Sequence, residues 1–232
     1  MDSQIDGVTM NENPVATKKE DYALVLDFLP YGNSGEARKE PIIQVVGEHY
    51  FTLLEIVVTS GKAFAPLEKV YIGKGERQNI VQIRGRINYD KLTSTAQREL
   101  DTAVRQIIKT REAEFVSFLN RAGSINIRAH SLELLPGIGK KYLEEILRQR
   151  EQKPFESFAD VSHRVSHLGD PTEIFVSRIR EELKGNEKYY MFSKAPAEEH
   201  SDRGYGRRDD RYGPREGFRS DRGSYTQGGY RR

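Results

Sequence analysis

Cysteine is absent from the 232 residues, so the chain can form neither disulfide bonds nor thiolate metal sites. No apolar segment approaches the roughly 20 residues that a membrane-spanning helix needs. Residues 1–17 contain no basic and apolar leader, which argues against a signal peptide and favours a disordered arm. The sequence shows no Ser/His/Asp nucleophile set, no acidic metal cluster and no phosphate-binding P-loop. These absences favour a cytoplasmic, non-enzymatic protein without metal, cofactor, small-molecule substrate or membrane partner.

An excess of one charge is also absent, since 37 basic residues are matched by 35 acidic ones. Residues 186–232 carry 11 basic and 8 acidic side chains, whereas residues 1–185 carry 26 and 27. The small positive excess therefore lies in the C-terminal part. Bulk electrostatic attraction alone would not hold such a chain on nucleic acid, so any binding must use local clusters of charge.

Residues 18–92 contain five short segments rich in β-branched and aromatic residues, separated by loops that contain glycine, proline or asparagine. The pattern predicts strands over residues 22–28, 42–46, 50–59, 67–72 and 79–87. Five short strands without an intervening helix are typical of a small β-barrel. We predict an OB-like barrel, with an SH3-like barrel as the alternative.

Basic and aromatic side chains gather towards one end of this segment. They are Tyr71, Lys74, Arg77, Arg84 and Arg86. Because Arg84 and Arg86 lie two residues apart on a predicted strand, both are expected on one face of it. Small barrels that bind single strands combine such positive charge with aromatic stacking. The alternative for this cluster is an ordinary solvated surface.

Residues 93–123 change to helical apolar spacing and predict two linking helices. Thr93 or Ser94 is a candidate N-cap for the first helix, and Gln97 would complete a capping box with Ser94. The second helix is predicted from residue 112 and ends before Gly123.

The most specific motif is LPGIGKK at residues 135–141, which lies between two segments with helical apolar spacing. Its two glycines, one residue apart, allow positive φ angles or the close approach of another backbone. The helix that follows offers free N–H groups at its N-terminus, where a phosphate can bind. The two lysines there favour an anionic partner, since a helix N-terminus repels cations. The candidate phosphate-binding residues are Gly137, Ile138, Gly139, Lys140 and Lys141.

This motif resembles the helix-hairpin-helix motif, whose usual form is an apolar residue, Pro, Gly, an apolar residue, Gly, and then Lys or a small residue. The resemblance implies binding to DNA or RNA phosphates through backbone amides, without reading of the base sequence. An ordinary turn between two helices is the alternative. Ser131 is the predicted cap of the short helix that enters the motif.

A second helical turn follows, and together the two turns resemble a tandem helix-hairpin-helix domain over residues 124–185. Ser157 and Asp160 form a capping signal for one of its helices, and Asp170 caps the next, with Pro171 at its first position. An acidic side chain and a residue without an N–H group do not suit phosphate binding. We therefore predict that the second turn is structural.

Two histidines near the second turn, His163 and His167, are four residues apart, a spacing that can bind a metal ion on one helix face. A third ligand is missing from the pattern, so we interpret them as surface histidines. Asp160 lies at a distance from the first turn that superficially suits the catalytic aspartate of a base-excision glycosylase, but its capping role explains it better.

Residues 186–232 lose apolar periodicity and predict a disordered tail rich in Arg, Gly and Tyr. The tail resembles the RGG-type tails of RNA-binding proteins, in which guanidinium groups pair with phosphate and stack on bases. A solubilising tail is the alternative. Its candidate RNA contacts are Arg203, Arg207, Arg208, Arg211 and Arg222.

The runs YIGKGER at residues 71–77 and SLELLPGIGKK at residues 131–141 resemble the archaeal family DUF655, which is described as predicted RNA- or nucleotide-binding. The resemblance covers roughly residues 18–185 and implies an archaeal cytosolic protein. The Arg/Gly-rich tail lies outside it.

We therefore predict an α+β protein with an N-terminal OB-like barrel, linking helices, a C-terminal tandem helix-hairpin-helix domain and a disordered tail. The predicted function is non-enzymatic binding of nucleic acid, RNA rather than DNA, without strong sequence specificity. Two alternatives stay open: a protein-interaction scaffold on the ribosome or the transcription machinery, such as RNA polymerase, and a DNA-processing enzyme such as a glycosylase.

Overall fold

The computed structural model describes residues 19–36, 39–127 and 129–196, so the predicted arm at residues 1–17 lies outside it. In these residues the first strands are β1 Tyr22–Leu29, β2 Ile42–Gly47, β3 Leu53–Val58, β4 Lys69–Tyr71 and β5 Ile80–Arg86. Helices α1 Ser94–Thr110 and α2 Glu112–Arg121 follow, and then a short hairpin of β6 Ser124–Asn126 and β7 Ala129–His130. The remaining helices are α3 Lys140–Gln152, α4 Phe158–Arg164 and α5 Pro171–Lys184, and short 3₁₀ helices span Tyr89–Lys91 and Ser131–Leu134. None of the described helices is long and apolar enough to cross a bilayer.

The first five strands form one antiparallel sheet in the order β4-β1-β2-β3-β5. The prediction of five strands is confirmed. The sheet curls into a half-barrel, in which β4 and β5 are the two edges and do not pair with each other within the described residues. The predicted barrel is therefore open along one side.

Both faces of the central strands β2 and β3 are buried, which explains why these strands are almost continuously apolar. Side chains on the outer face, such as Leu24 and Leu53, join the core that α1 and the other helices form. Side chains on the inner face, such as Val25, Leu54 and Ile56, form a second core inside the half-barrel. Neighbouring residues alternate between the two cores, as the period of a β-strand requires.

Helix α1 lies at the centre of the molecule and contacts β1, β2 and α5, so the predicted linking helices are part of the core. Its N-cap is Thr93, whose hydroxyl accepts the Ala96 N–H and donates to the Asp27 carboxylate. The predicted capping box of Ser94 with Gln97 is wrong. The Gln97 amide instead donates to carbonyl groups in the preceding loop, at Tyr89 and Leu92.

The segment that follows α5 also belongs to the fold, so the prediction that a disordered tail begins at residue 186 is wrong for residues 186–196. Glu182 is fully buried (0% exposed), and its carboxylate accepts the three successive backbone N–H groups of residues 191–193. Arg178 donates to Glu182 at 3.1 Å. Phe192 packs against the rings of Phe115, Phe118 and Phe175. The segment is therefore held by hydrogen bonds to one buried carboxylate and by the packing of Phe192. Neither kind of contact produces a periodic pattern of apolar residues in the sequence.

The β6–β7 hairpin was not predicted from the sequence, and it changes the cap of the helix that follows. His130 caps the 3₁₀ helix, and its ring nitrogen accepts the Leu132 N–H while Glu133 accepts the His130 N–H. The predicted cap, Ser131, is instead the first helical residue, and its hydroxyl donates to the Gly123 carbonyl.

Candidate nucleic-acid interface

A tight turn at residues 135–141 connects the second 3₁₀ helix to α3, and we call it the corner. Leu135 and Ile138 are buried in the core, and the Ile138 N–H donates to the Leu135 carbonyl at 3.0 Å. Between them, Gly137 has a φ angle of +83°, a conformation that residues with a Cβ atom rarely adopt. The two apolar anchors and this glycine together fix the backbone of the corner and leave its polar edge exposed.

The amide groups at the start of α3 are free to bind an anion. Gly139 is the N-cap of this helix and provides no side-chain hydrogen bond. Within the described residues, the N–H groups of Lys140, Lys141 and Tyr142 have no hydrogen-bond acceptor. A Cβ atom added at Gly137 or Gly139 would meet no other atom within 4 Å, so the space in front of the corner is open. Both lysines are exposed beside it.

The second turn, between α4 and α5, is occupied by its own carboxylate. Asp170 caps α5, as predicted, and accepts the Thr172 N–H at 2.8 Å. Pro171 is the first helical residue. This turn contains one more residue than the corner, because Gly169, with a φ of +88°, lies between the anchor Leu168 and the cap. An anion would have to displace Asp170, so the two turns differ chemically.

The two turns are joined directly. The Tyr142 hydroxyl in α3 donates to the His167 carbonyl at 2.6 Å. His163 and His167 are both exposed, and no group of three metal-ligating side chains occurs in the described residues. Asp160 is held by the Glu156 N–H and by Arg164 at 3.1 Å. Although partial burial opposes the change, these two contacts lower the pKa of Asp160 below its ordinary value, which suits a capping acid rather than a catalytic base.

An open cleft of about 1170 Å³ lies inside the half-barrel between its edge strands β4 and β5. Four of the five predicted basic and aromatic residues line it, namely Tyr71, Lys74, Arg77 and Arg86. We call it the half-barrel cleft. Its apolar floor consists of Leu54, Ile72 and Ile83, and its cationic rim consists of Lys19, Lys74, Arg77 and Arg86.

Arg84 does not join this cleft, and the expectation that Arg84 and Arg86 share one face is wrong. A β-bulge at Gly85, whose φ is +148°, interrupts the pairing of β5 with β3 and reverses the alternation of side chains. Arg84 therefore lies on the outer side of the sheet. There it forms salt bridges with the carboxylates of Glu36, Glu40 and Glu55. Its charge is compensated by protein groups.

The salt bridges of Arg84 also affect how the neighbouring acid titrates. A hydrogen bond from Asn33 and the contact with Arg84 hold the pKa of Glu36 below its ordinary value. The same contact with Glu36 raises the pKa of Arg84. This cluster is a structural feature of the outer surface.

Tyr71 is positioned by close packing at the edge of the half-barrel. Its ring contacts the Tyr22 ring edge-on, with a centroid distance of 5.2 Å, and its hydroxyl accepts the Gly75 N–H at 3.1 Å. A Cβ atom at Gly73 would lie 2.5 Å from this hydroxyl, so the loop needs glycine there for the close approach. The side chain of Arg77 is oriented by a 2.7 Å hydrogen bond from its Nε to the Gly73 carbonyl.

Among the residues that line the cleft but were not predicted from the sequence are Lys19, Thr52 and Lys194. Lys19 and Lys194 lie more than 170 positions apart in the sequence, and only the return of residues 186–196 across the molecule brings Lys194 to the cleft. Lys194 also lies 4.9 Å from the Tyr50 ring centroid. No local pattern could have placed them together. The tail arginines Arg203, Arg207, Arg208, Arg211 and Arg222 lie outside the described residues.

Fold and site define an α+β protein that joins a curled antiparallel half-barrel to a helical part with one open glycine corner. The family model described as "Protein of unknown function (DUF655)" matches residues 19–194, and the chain belongs to this family. The match includes the segment after α5 that the fold holds in place. It confirms the family resemblance seen in the sequence.

Two relatives support this assignment. The uncharacterized protein MJ0038 of Methanocaldococcus jannaschii is 44% identical over 179 residues, which cover 76% of this chain and 81% of that protein. The crystal structure of Af1531 from Archaeoglobus fulgidus, also assigned to DUF655, is similar with a TM-score of 0.71 and 46% identity. The similarity covers 75% of this chain and all of the Af1531 chain.

Proposed function

We propose that this protein is a non-enzymatic, cytoplasmic RNA-binding protein that grips the sugar-phosphate backbone at the corner. The observation that carries the proposal is the row of amide groups at the start of α3, which have no acceptor among the described residues and lie in front of open space. Backbone N–H groups at a helix N-terminus bind phosphate well. They contact no base edge, so binding would depend little on base sequence.

Charge at the corner supports the same interpretation. Lys140 and Lys141 are exposed, and neither forms a salt bridge within the described residues. The positive end of the helix dipole repels a lysine in the first turn, and a bound phosphate would offset this repulsion. We interpret the corner as the phosphate-binding half of a tandem helix-hairpin-helix domain and the second turn as its structural half, because there Pro171 has no N–H and the Asp170 carboxylate accepts the Thr172 N–H.

The half-barrel cleft would hold a neighbouring part of the strand. Its rim residues Lys74, Arg77 and Arg86 form no salt bridge with a carboxylate of the described residues, unlike Arg84. We interpret the half-barrel as OB-like, a class of barrel that binds single strands through positive grooves and aromatic rings. The Arg/Gly-rich tail, which lies outside the described residues, would add avidity. RNA is favoured over DNA by this type of barrel and by the composition of the tail.

The salt dependence of binding to full-length protein tests this function. Replacing Lys140 and Lys141 together by alanine should reduce the slope of log K against log salt by about 1.4 for single strands and about 1.8 for a duplex. The loss of affinity should be similar for several unrelated sequences. A control with the same loss of charge replaces Lys62 and Lys69, which already form salt bridges with Glu68 and Glu48. An unchanged slope, or a loss for one sequence only, would contradict the backbone grip.

A scaffold function is the second candidate, and the β6–β7 hairpin favours it. Ile125 and Ile127 are 37% and 105% exposed, so this hairpin presents apolar side chains to solvent next to the 3₁₀ helix of the corner. Such exposure suits a protein partner, for example on the ribosome or RNA polymerase. The scaffold function is favoured over RNA binding if a protein partner stays bound after nuclease treatment. The Ile127→Ser variant should then no longer bind this partner, whereas the Lys140→Ala variant should still bind it.

A further inference from the structure

Thr52, one of the residues that line the half-barrel cleft, has an unsatisfied hydroxyl. The residue is 6% exposed, and its Oγ1 atom has no hydrogen-bond partner in the part of the chain that the structure describes. Its backbone is fully engaged, since the N–H donates to Glu20 at 3.1 Å and the carbonyl accepts the Gly47 N–H at 2.8 Å. Buried polar groups are nearly always hydrogen-bonded, so the partner of this hydroxyl is a water molecule or a ligand.

Glu20, one of the two acids that line the cleft, does not oppose an anionic ligand. Besides the Thr52 N–H, the Glu20 carboxylate accepts the N–H groups of His49 at 2.8 Å and Tyr50 at 2.9 Å. Three amide donors compensate its charge, and its side chain is packed so closely on Gly47 that a Cβ atom there would lie 2.1 Å away. Glu20 is therefore a structural element of the β2–β3 turn.

The cleft otherwise combines an apolar floor with a cationic rim. Five cationic side chains line it, against two carboxylates, those of Glu20 and Asp21. Arg77 and Arg86 each have one nitrogen bound to a backbone carbonyl, of Gly73 and Ala195, which orients the guanidinium groups at the rim. A ligand that matches this surface has a flat, largely apolar body with a few polar atoms and a negatively charged group at one end.

We propose that the half-barrel cleft binds a single nucleoside phosphate, with the base over the apolar floor, its polar edge bonded to Oγ1 of Thr52, and the phosphate at the cationic rim. A threonine hydroxyl both donates and accepts, so it can pair with any base edge. A volume of about 1170 Å³ accommodates one nucleotide. The ligand is either a free nucleotide or an unpaired nucleotide of an RNA strand, and in the second case the inference rests on the proposed function.

The test measures binding of AMP, UMP and inorganic phosphate to the full-length protein by calorimetry or ligand-observed NMR. We expect at least one nucleotide to bind tenfold or more tightly than phosphate. Thr52→Val, which removes the hydroxyl at nearly constant shape, should weaken nucleotide binding about three- to tenfold and leave phosphate binding unchanged. Thr59→Val, at an exposed threonine beyond the end of β3, is the matched control and should change neither.

Three results would overturn the proposal: nucleotides that bind no more tightly than phosphate, a Thr52→Val variant that folds normally and binds nucleotide unchanged, or an equal effect of Thr59→Val. Lys140→Ala with Lys141→Ala should leave AMP affinity intact, so failure of the corner and failure of the cleft are distinguishable. The affinities of AMP and of an unstructured oligonucleotide for the Lys140→Ala/Lys141→Ala variant identify the source. Tighter binding of the oligonucleotide indicates a strand, and tighter binding of AMP indicates a free nucleotide.

Discussion

Replacing Gly139 with aspartate should stabilise the fold while it weakens RNA binding. At this N-cap the backbone has a φ of −86° and a ψ of −179°, which any residue adopts, and a Cβ atom would meet nothing within 4 Å. The substitution would reproduce at the corner what Asp170 does at the second turn, where the carboxylate accepts a backbone N–H of the first helical turn. It therefore separates the stability of the corner from its proposed function.

The gain in stability can be worked out from the contacts. An aspartate N-cap exceeds glycine by a few tenths of a kcal/mol, and its charge at the N-terminus of α3 adds about 0.3 to 1 kcal/mol. Loss of the glycine also restricts the unfolded chain, by about 0.4 to 1 kcal/mol for a change to alanine. We expect a net gain of about 1 kcal/mol in the free energy of unfolding. For a chain of this size, that raises Tm by about 2 to 4 °C.

The loss in binding follows from charge repulsion at the same position. Two unit charges at roughly 4 Å repel by about 1 kcal/mol in water and about 4 kcal/mol near a protein surface of effective dielectric constant 20. The aspartate would place its carboxylate where the phosphate is expected. RNA affinity should therefore fall by a factor between about five and several hundred.

Fluorescence anisotropy with unstructured RNA and thermal unfolding of the same preparations measure the two effects. Gly139→Asn is the matched control, because asparagine caps as well as aspartate but carries no charge. It should raise Tm by less than aspartate, because it lacks the contribution of the charge, and it should weaken binding less. The reasoning is refuted if Gly139→Asp raises Tm and leaves RNA affinity unchanged, because the free amides would then have no part in binding.

Three further predictions concern other parts of the molecule. Arg86→Ala should lower RNA affinity and reduce the slope of log K against log salt by about 0.7, which salt titrations can show. Arg84→Ala should leave this slope unchanged and lower the free energy of unfolding by about 1 to 3 kcal/mol, which urea unfolding can show. Glu182→Ala should cost about 3 to 5 kcal/mol in urea unfolding, because it removes one of the two carboxylates that pair with the buried Arg178 and leaves the N–H groups of residues 191–193 without their acceptor. A smaller loss would mean that the segment after α5 contributes little. The contacts of Glu36 with Asn33 and Arg84 lower the pKa of this carboxyl group in the folded protein below its ordinary value of about 4.5. These contacts therefore stabilise the fold fully above that pH, and this stabilisation is lost as the pH falls through the pKa of the folded state. The stability difference between wild type and Arg84→Ala should therefore shrink below about pH 4.5, and a constant difference would contradict the assignment.

Local sequence signals predicted much of the fold. The five strands followed from runs of β-branched residues, and the caps Thr93, Ser157 and Asp170 followed from side chains that accept backbone N–H groups. The corner was predicted because Gly137 and its apolar neighbours determine the local backbone. In each case the residues that decide the structure lie within a few positions of one another.

Features that depend on distant contacts could not be predicted. The bulge at Gly85 reverses the side chains of β5, and although a glycine inside a strand can mark a bulge, the strand pattern does not show which residue is left unpaired. Residues 186–196 have little apolar periodicity and are held by the buried carboxylate of Glu182. The half-barrel cleft joins Thr52 to residues near both ends of the described chain, so its composition depends on the tertiary fold.

Backbone amide NMR of ¹⁵N-labelled full-length protein, titrated with an unstructured RNA at low salt, tests the grip at the corner most directly. We predict that the amide signals of Lys140, Lys141 and Tyr142 shift downfield and saturate with the dissociation constant of overall binding. In Gly139→Asp these shifts should be lost. Binding of RNA that leaves these three signals in place would contradict the account.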